Sequence, residues 1–208
     1  MKKFNASTYQ EKKGSFNNED EQLLLSLMCM RDAKGNVLDV GCGDGKLTVR
    51  VKEVAPGAII TAIDNSPEQI ALTQAVEGVH FECADVVDFS PDTVFDTVYS
   101  FYAFPHIPKS RLLAALTAVR RLLQEGGRFY FFTNICLFDT IVASSDEQEA
   151  CDIVFLNEWP SQINLVSMEE MRSIFKAAGF REMEDRRLKT GAAIKTYGEM
   201  VSWLFILE

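Results

Sequence analysis

The stretch VLDVGCGDGKL, Val37 to Leu47, sets a short apolar run against glycines at alternate positions, Gly41, Gly43 and Gly45. Asp39 stands just before them and Asp44 among them. A short buried strand over Val37–Val40 ends here, and a helical pattern begins, with Leu47, Val51 and Val54 on one face. Glycine loses more backbone freedom on folding than any other residue. A group of them at the mouth of a strand therefore implies a backbone that must stay bare.

Outward from this stretch the same alternation continues. Ala58–Asp64 (AIITAID) is β-rich and ends in an acid. Ser66-Pro67-Glu68-Gln69 reads as a helix start, with a serine cap, proline in the first turn and glutamine after it. Val79–Cys83 and Phe95–Ser100 predict strands. Leu112, Leu116, Val119 and Leu123 keep helical spacing, and Gly126-Gly127 is expected to close that helix. Phe129–Thr133 predicts a fifth strand. Residues 134–166 read as long and irregular. Ser167-Met168-Glu169-Glu170 is a capping box whose helix carries Met171, Ile174, Phe175 and Ala178 and stops at Gly179. Glu182–Lys189 and Val201–Leu207 read as a final strand pair, and Glu19–Met28 as a leading helix opened by Asn17 or Asn18. Strands separated by helix-length patterns mean βαβ units and a mostly parallel sheet, an α/β fold.

Composition narrows the function. The 208 residues suffice for one domain with a real core. Net charge is -9, against the basic face of a phosphate-tracking nucleic-acid binder. The pairs Arg120-Arg121 and Arg186-Arg187 are too short to make a patch. Five cysteines are scattered singly with no CxxC spacing, which argues against zinc. The amino-terminal MKKFNASTYQEKKGSF carries charge but no apolar leader core, and no run is long enough to span a membrane. The expectation is reduced thiols in the cytoplasm.

In an open α/β sheet, ligands bind at the carboxyl ends of the strands, at the switch point. Bare backbone after the first strand admits a ligand, and the next helix offers its unpaired N–H groups. Two cofactor classes use this layout, dinucleotides and S-adenosylmethionine. Both carry a ribose, and Asp64, about 20 residues beyond the glycines, can accept two hydroxyl hydrogen bonds. The pattern is GxGxG rather than GxGxxG, because position 46 is lysine. Asp39 and Asp44 would repel a pyrophosphate but suit a sulfonium and an α-ammonium. Charge favours S-adenosylmethionine.

VLDVGCGDG, AID, FECADVVDF, FDTVYSFYAFPHIP and LLQEGGRFYFF occur in that order. Together they resemble a class I (Rossmann-like) S-adenosylmethionine-dependent methyltransferase of the small-molecule type, over roughly residues 9 to 134. The resemblance implies a three-layer sandwich around a mostly parallel seven-stranded sheet with an antiparallel C-terminal strand. It implies one methyltransferase domain over 1–208, with residues 1–30 as lid and helix and 134–166 as a substrate-region insertion. Asp39, Gly41, Cys42, Gly43, Asp44 and Gly45 would cradle the methionine end, with Cys42 a small apolar residue and no nucleophile. Asp64 would hold the ribose, Asn65 and Ser66 one face of the adenine, and Asp85 its amino group, flanked by Ala84 and Val86. Ser100 and Phe101 would lie beside the reactive methyl, and Tyr9 and Asn17 would close over the cofactor. Relatives often carry glutamine where Asn17 stands.

Methyl transfer is an in-line displacement that asks chiefly for positioning, so no catalytic triad is expected. His106 is the general-base candidate, with a hydrogen-bonding wall as its other reading; relatives often have paired histidines where this chain has Pro105-His106. His80 reads as structural. Tyr102, Phe104, Phe138 and Trp159, with Tyr9, are the candidate walls of an apolar acceptor pocket, although such aromatics also serve as core. The motifs of exocyclic-amine and cytosine-C5 nucleic-acid methyltransferases are absent after the fourth strand, which points to a small-molecule acceptor. Asp139, Asp146, Glu147, Glu149, Asp152 and Glu158 lack ligand spacing and read as a solvated acidic loop. Two other readings stay open: a non-catalytic S-adenosylmethionine-binding protein, and a nicotinamide-dependent oxidoreductase.

Overall fold

The computed structural model of the chain describes residues 21–136, 152–153, 163–164, 166–187 and 200–208. The expectations for Tyr9, Asn17, Phe138 and Trp159, and for the acids between 139 and 149 and at 158, lie outside these residues. Helix α1 spans Glu21–Met30, β1 Gly35–Val40, α2 Lys46–Val54, β2 Ala58–Asp64 and α3 Pro67–Ile70. Strand β3 (Val79–Cys83) and β4 (Phe95–Phe101) follow, then a 3-10 turn at Phe104–His106, α4 (Lys109–Leu122) and β5 (Leu123–Cys136). The later elements are β6 (Asp152–Ile153), β7 (Ile163–Asn164), β8 (Val166–Ser167), α5 (Met168–Ala177), β9 (Glu182–Arg187) and β10 (Met200–Leu207).

The sheet runs β3-β2-β1-β4-β5-β10-β9. Strands β3, β2, β1, β4 and β5 are parallel, β10 is antiparallel to both its neighbours, and β8 adds a short parallel pairing on β5. The strand order reverses between β1 and β4, so the crevice beyond their carboxyl ends is the switch point. Strands β6 and β7 form a separate antiparallel pair.

Alternation along β1 and β4 divides the core into two layers. Leu38, Val40 and Val98 face α4 and α5 in one cluster, with Leu116, Val119, Met171 and Phe175. Val37 and Tyr99 face the other side with Leu27 and Met30 of α1 and Leu47 and Val51 of α2. The run Phe129 to Phe132 reads the same way: Phe129 and Phe131 enter the first layer, while Phe132 packs with Leu204 on the opposite face. Each layer buries apolar side chains that the sequence spaces at period 2 in strands and near 3.6 in helices.

Two local expectations need correction. Gly126-Gly127 does not close α4. The helix ends at Leu122, and Leu123 is already extended and pairs with Phe95. The glycines sit inside β5, where the pairing with β4 shifts register between Phe95 and Thr97. A Cβ at Gly127 would lie 2.9 Å from Leu123 Cδ1 and 3.0 Å from the Asp96 carbonyl oxygen. Cross-strand pairing of Leu123 thus ends the helix before its glycines can. The second correction concerns residues 134–166, which are not irregular throughout: β5 runs on to Cys136, and β6, β7 and β8 follow. The capping box behaves as expected, with Ser167 Oγ accepting from Glu170 N at 3.1 Å.

Candidate functional site

The glycine loop lies where β1 ends at the switch point. Gly41, Gly43 and Gly45 have φ of 79°, 57° and 76°, in the left-handed region that glycine adopts without penalty. Their surroundings differ. A Cβ at Gly41 would fall 2.1 Å from the Ala103 Cβ, and one at Gly45 2.7 Å from the Phe81 ring. At Gly43 the nearest neighbour would be Gln69 Oε1, at 3.7 Å. Two of the glycines are therefore bare because protein packs against them. Of the three, Gly43 alone has room for a Cβ.

Asp64, at the end of β2, ties the loop to the next turn. One carboxylate oxygen accepts from Gly43 N at 2.9 Å and the other from Ser66 N at 2.9 Å. The loop is held again where Gly41 N and Cys42 N both donate to the Ile63 carbonyl, at 2.8 and 3.0 Å. A carboxylate offers about four acceptor positions, and these two bonds use one on each oxygen. Ser66 spends its hydroxyl locally: it accepts from Gln69 N and donates to Glu68 Oε2. Any ring contact there falls to the backbone and to exposed Asn65.

Asp39 and Asp44 are both buried, and they are held differently. Asp39 Oδ2 receives the Thr48 hydroxyl at 2.6 Å and the Tyr99 hydroxyl at 2.8 Å. Asp44 pairs with Lys46, Nζ to Oδ2 at 2.6 Å. The lysine that breaks the GxGxxG spacing thereby offsets one of the two acids expected to repel a pyrophosphate. Burial first, then Asp39 and Asp64, pushes the Cys42 thiol far above its ordinary 9.0. A thiol so protonated is no nucleophile.

After β3, Asp85 Oδ1 accepts from Val87 N at 3.0 Å, and Oδ2 meets Arg111 of α4 at 3.1 Å. Val86 is buried, Ala84 is half-buried, and Ala84 N donates to the Asp64 carbonyl at 3.0 Å. A shallow cleft of about 280 Å³ opens beside Ala84 and Asp85, lined also by Glu82, Asp88 and Phe89. Sequence reasoning missed Arg111, because a lone arginine in a helical pattern carries no signal of the loop it reaches.

At the end of β4, Ser100 Oγ donates to the Val40 carbonyl at 2.8 Å, locking the carboxyl ends of β1 and β4 together. Phe101 is half-buried against Tyr102. Tyr102 has φ 57°, the one described non-glycine residue in the left-handed region. Such strain gathers at functional turns. Phe104 does not face an open cavity; it is 2% exposed and packs against Phe129 and Phe131. His106 is half-buried and ends the 3-10 turn, where its backbone N–H donates to the Ala103 carbonyl. His80 lies exposed on β3 with Glu82 at 3.6 Å, away from the loop. Among the described residues no group of three or more His, Cys, Asp or Glu is placed to hold a metal. Among them, too, no helix is long and apolar enough to cross a membrane.

Fold and loop together define a Rossmann-like α/β protein with an acid-flanked glycine turn at its switch point. Comparison with known proteins narrows this. A family model described as a methyltransferase domain matches residues 37–127. An uncharacterized methyltransferase of Bacillus cytotoxicus is 30% identical over 156 residues, covering 70% of this chain and 69% of that one. Trans-aconitate 2-methyltransferase of Mycobacterium sp. (strain KMS) is 38% identical over 104 residues, which is 47% of this chain and 41% of the relative. The chain thus spans less than half the length of that relative. Among solved structures, 1,6-didemethyltoxoflavin-N1-methyltransferase of Burkholderia thailandensis shares the fold, with a TM-score of 0.67 at 18% identity over 97% of this chain and 83% of that one. The chain belongs to the class I S-adenosylmethionine-dependent methyltransferases.

Proposed function

We propose that the chain transfers a methyl group from S-adenosylmethionine to a small-molecule acceptor by in-line displacement. The observation that carries this is the join between Asp64 and Gly43. The Asp64 carboxylate binds the backbone N–H of Gly43, the one glycine of the loop at which a Cβ would meet nothing closer than 3.7 Å. That is a cradle for a nucleoside sugar beside bare backbone. Asp39, Asp44 and Asp64, with Lys46 paired to Asp44, suit a cationic ligand better than a pyrophosphate.

The cofactor supplies a methyl group on a positively charged sulfur, already a good leaving group. The chain's part is to hold and align. Gly43 and Asp64 would fix the ribose, Asp85 with Ala84 and Val86 the adenine, and the Asp39–Gly45 loop the amino-acid end. Phe101 and Tyr102 would wall the reacting face and exclude water. His106 would take a proton from an alcohol or amine acceptor; a carboxylate acceptor needs no base. Residues 1–30 would form the lid and 134–166 the acceptor-side insertion of one domain. The acceptor would be met in the cytoplasm, with neither nucleic acid nor membrane as substrate, in keeping with a net charge of -9.

Calorimetry and tritiated-methyl transfer test the reading. Adenosylhomocysteine should bind, and a panel of small carboxylic acids, phenols and amines should yield a labelled product. A tricarboxylic acid belongs in the panel because one relative is named for trans-aconitate. Tight binding with no transfer to any acceptor would favour a non-catalytic binding protein. Stabilisation by NADH and not by adenosylhomocysteine would overturn the proposal.

A further inference from the structure

The buried polar group behind the glycine loop is what the proposed chemistry leaves unexplained. Asp39, Thr48 and Tyr99 are 2%, 0% and 2% exposed. Both hydroxyls end on one oxygen, Asp39 Oδ2, at 2.6 and 2.8 Å. These are the short distances of hydroxyls donating to a charged acceptor. The three residues come from three elements. Asp39 is in β1, Tyr99 is its register partner in β4, and Thr48 lies in the first turn of α2. Asp39 precedes the glycines and Thr48 follows them, so their bond closes the base of the loop. Tyr99 ties that closure to the strand whose next residues, Ser100 and Phe101, reach the switch point. A tyrosine filling this position for packing alone would not need its hydroxyl aimed at a buried acid.

We infer that Tyr99, acting with Thr48, is a positioning residue: it holds the Asp39 carboxylate behind the loop as the negative charge that meets the cationic amino-acid end of the cofactor. This rests on the methyltransferase reading above. Removing either hydroxyl takes away a donor that fixes the carboxylate and favours its charged form. The loss should then be confined to ligands that carry the amino-acid end. A merely structural role for the group would weaken every ligand of the loop alike.

The test is calorimetry of wild type, Tyr99→Phe and Thr48→Val with S-adenosylmethionine, adenosylhomocysteine and methylthioadenosine, which lacks the amino-acid end. Melting curves of each variant check folding. Both variants should bind the first two ligands at least about fivefold more weakly, a change of about 1 kcal/mol, while methylthioadenosine shifts less than about twofold. Equal losses on all three ligands, or no loss on any, would overturn the inference. Should Tyr99→Phe fail to fold, Thr48→Val decides alone, since it acts on the same oxygen from a different element. If wild type binds none of the three, the methyltransferase reading itself has failed, and that outcome is distinct from either variant result.

Discussion

Glycines that look equivalent in the motif separate once their neighbours are known. Gly41 meets Ala103 and Gly45 meets Phe81, so both protect packing, whereas Gly43, bonded to Asp64, leaves room for a Cβ. Substitution should divide them accordingly. Gly41→Ala combines a left-handed φ with a Cβ driven onto Ala103, and should destabilise the fold by about 2 kcal/mol or more in urea titrations. Gly43→Ala bears only the left-handed term, about 1 kcal/mol, yet should remove most adenosylhomocysteine binding because its Cβ fills the cradle. Comparable binding in wild type and Gly43→Ala would put the ligand elsewhere. Asp64→Ala should weaken cofactor binding at least about tenfold, the scale of lost hydrogen bonds to a charged acceptor; unchanged affinity by calorimetry would take Asp64 out of the ribose site. The positions of these residues were legible in the sequence, because a glycine run after a strand and an acid after the next strand have few other uses. Their partners were not. Nothing in a linear pattern says that Tyr99 turns its hydroxyl onto Asp39, or that Arg111 reaches Asp85, since both contacts join elements distant in the chain.

Elements were legible where local chemistry and tertiary packing agree. The Ser167 cap, the helix it opens and the stop near Gly179, with φ 85°, follow from capping and from the spacing of Met171 and Phe175. They fail where packing overrules local preference. The helical spacing through Leu123 invites one more turn, but Leu123 pairs with Phe95 and the chain leaves the helix early. The Ser66 start is real, yet α3 is a single turn, Pro67–Ile70, and the chain reaches Val79, beside Ile60 of β2, through turns and coil. Described residues 84–94, between β3 and β4, form turns with no helix. Helix α4 grips this loop from the side, with Arg111 on Asp85 and Arg121 donating to the Phe89 carbonyl at 3.0 Å. Removing a cap tests how far such elements act independently. Ser167→Ala should lower stability by about 1 kcal/mol, read as a shift in the urea midpoint. It should leave adenosylhomocysteine affinity unchanged, because α5 packs against α4 and β5 and adds nothing to the glycine loop. A binding defect in that variant would mean that the site is coupled to α5.

Across the whole molecule, the side chains that shape the ligand end also set how stability responds to alkali. Burial first, then Asp39, holds the Tyr99 hydroxyl protonated well above its ordinary 10.0, and Cys42 is likewise raised from 9.0. In each case the folded chain keeps a proton that the unfolded chain gives up. Below the unfolded values both states are protonated and nothing is lost. As pH rises past about 9.0 for the thiol and about 10.0 for the phenol, the unfolded state sheds protons and the native state does not. Stability therefore falls with pH, by about 1.4 kcal/mol per unit for each group fully inside its window. Urea unfolding at about pH 8 and about pH 10.5 should show this decline. The Tyr99→Phe variant should decline less steeply, because its buried ring no longer carries a proton to retain. A decline of equal steepness in wild type and variant would mean that Tyr99 ionises as readily in the folded chain as in the unfolded one. The hydroxyl would then not be sealed against Asp39, and the closed base of the glycine loop would have to be redrawn.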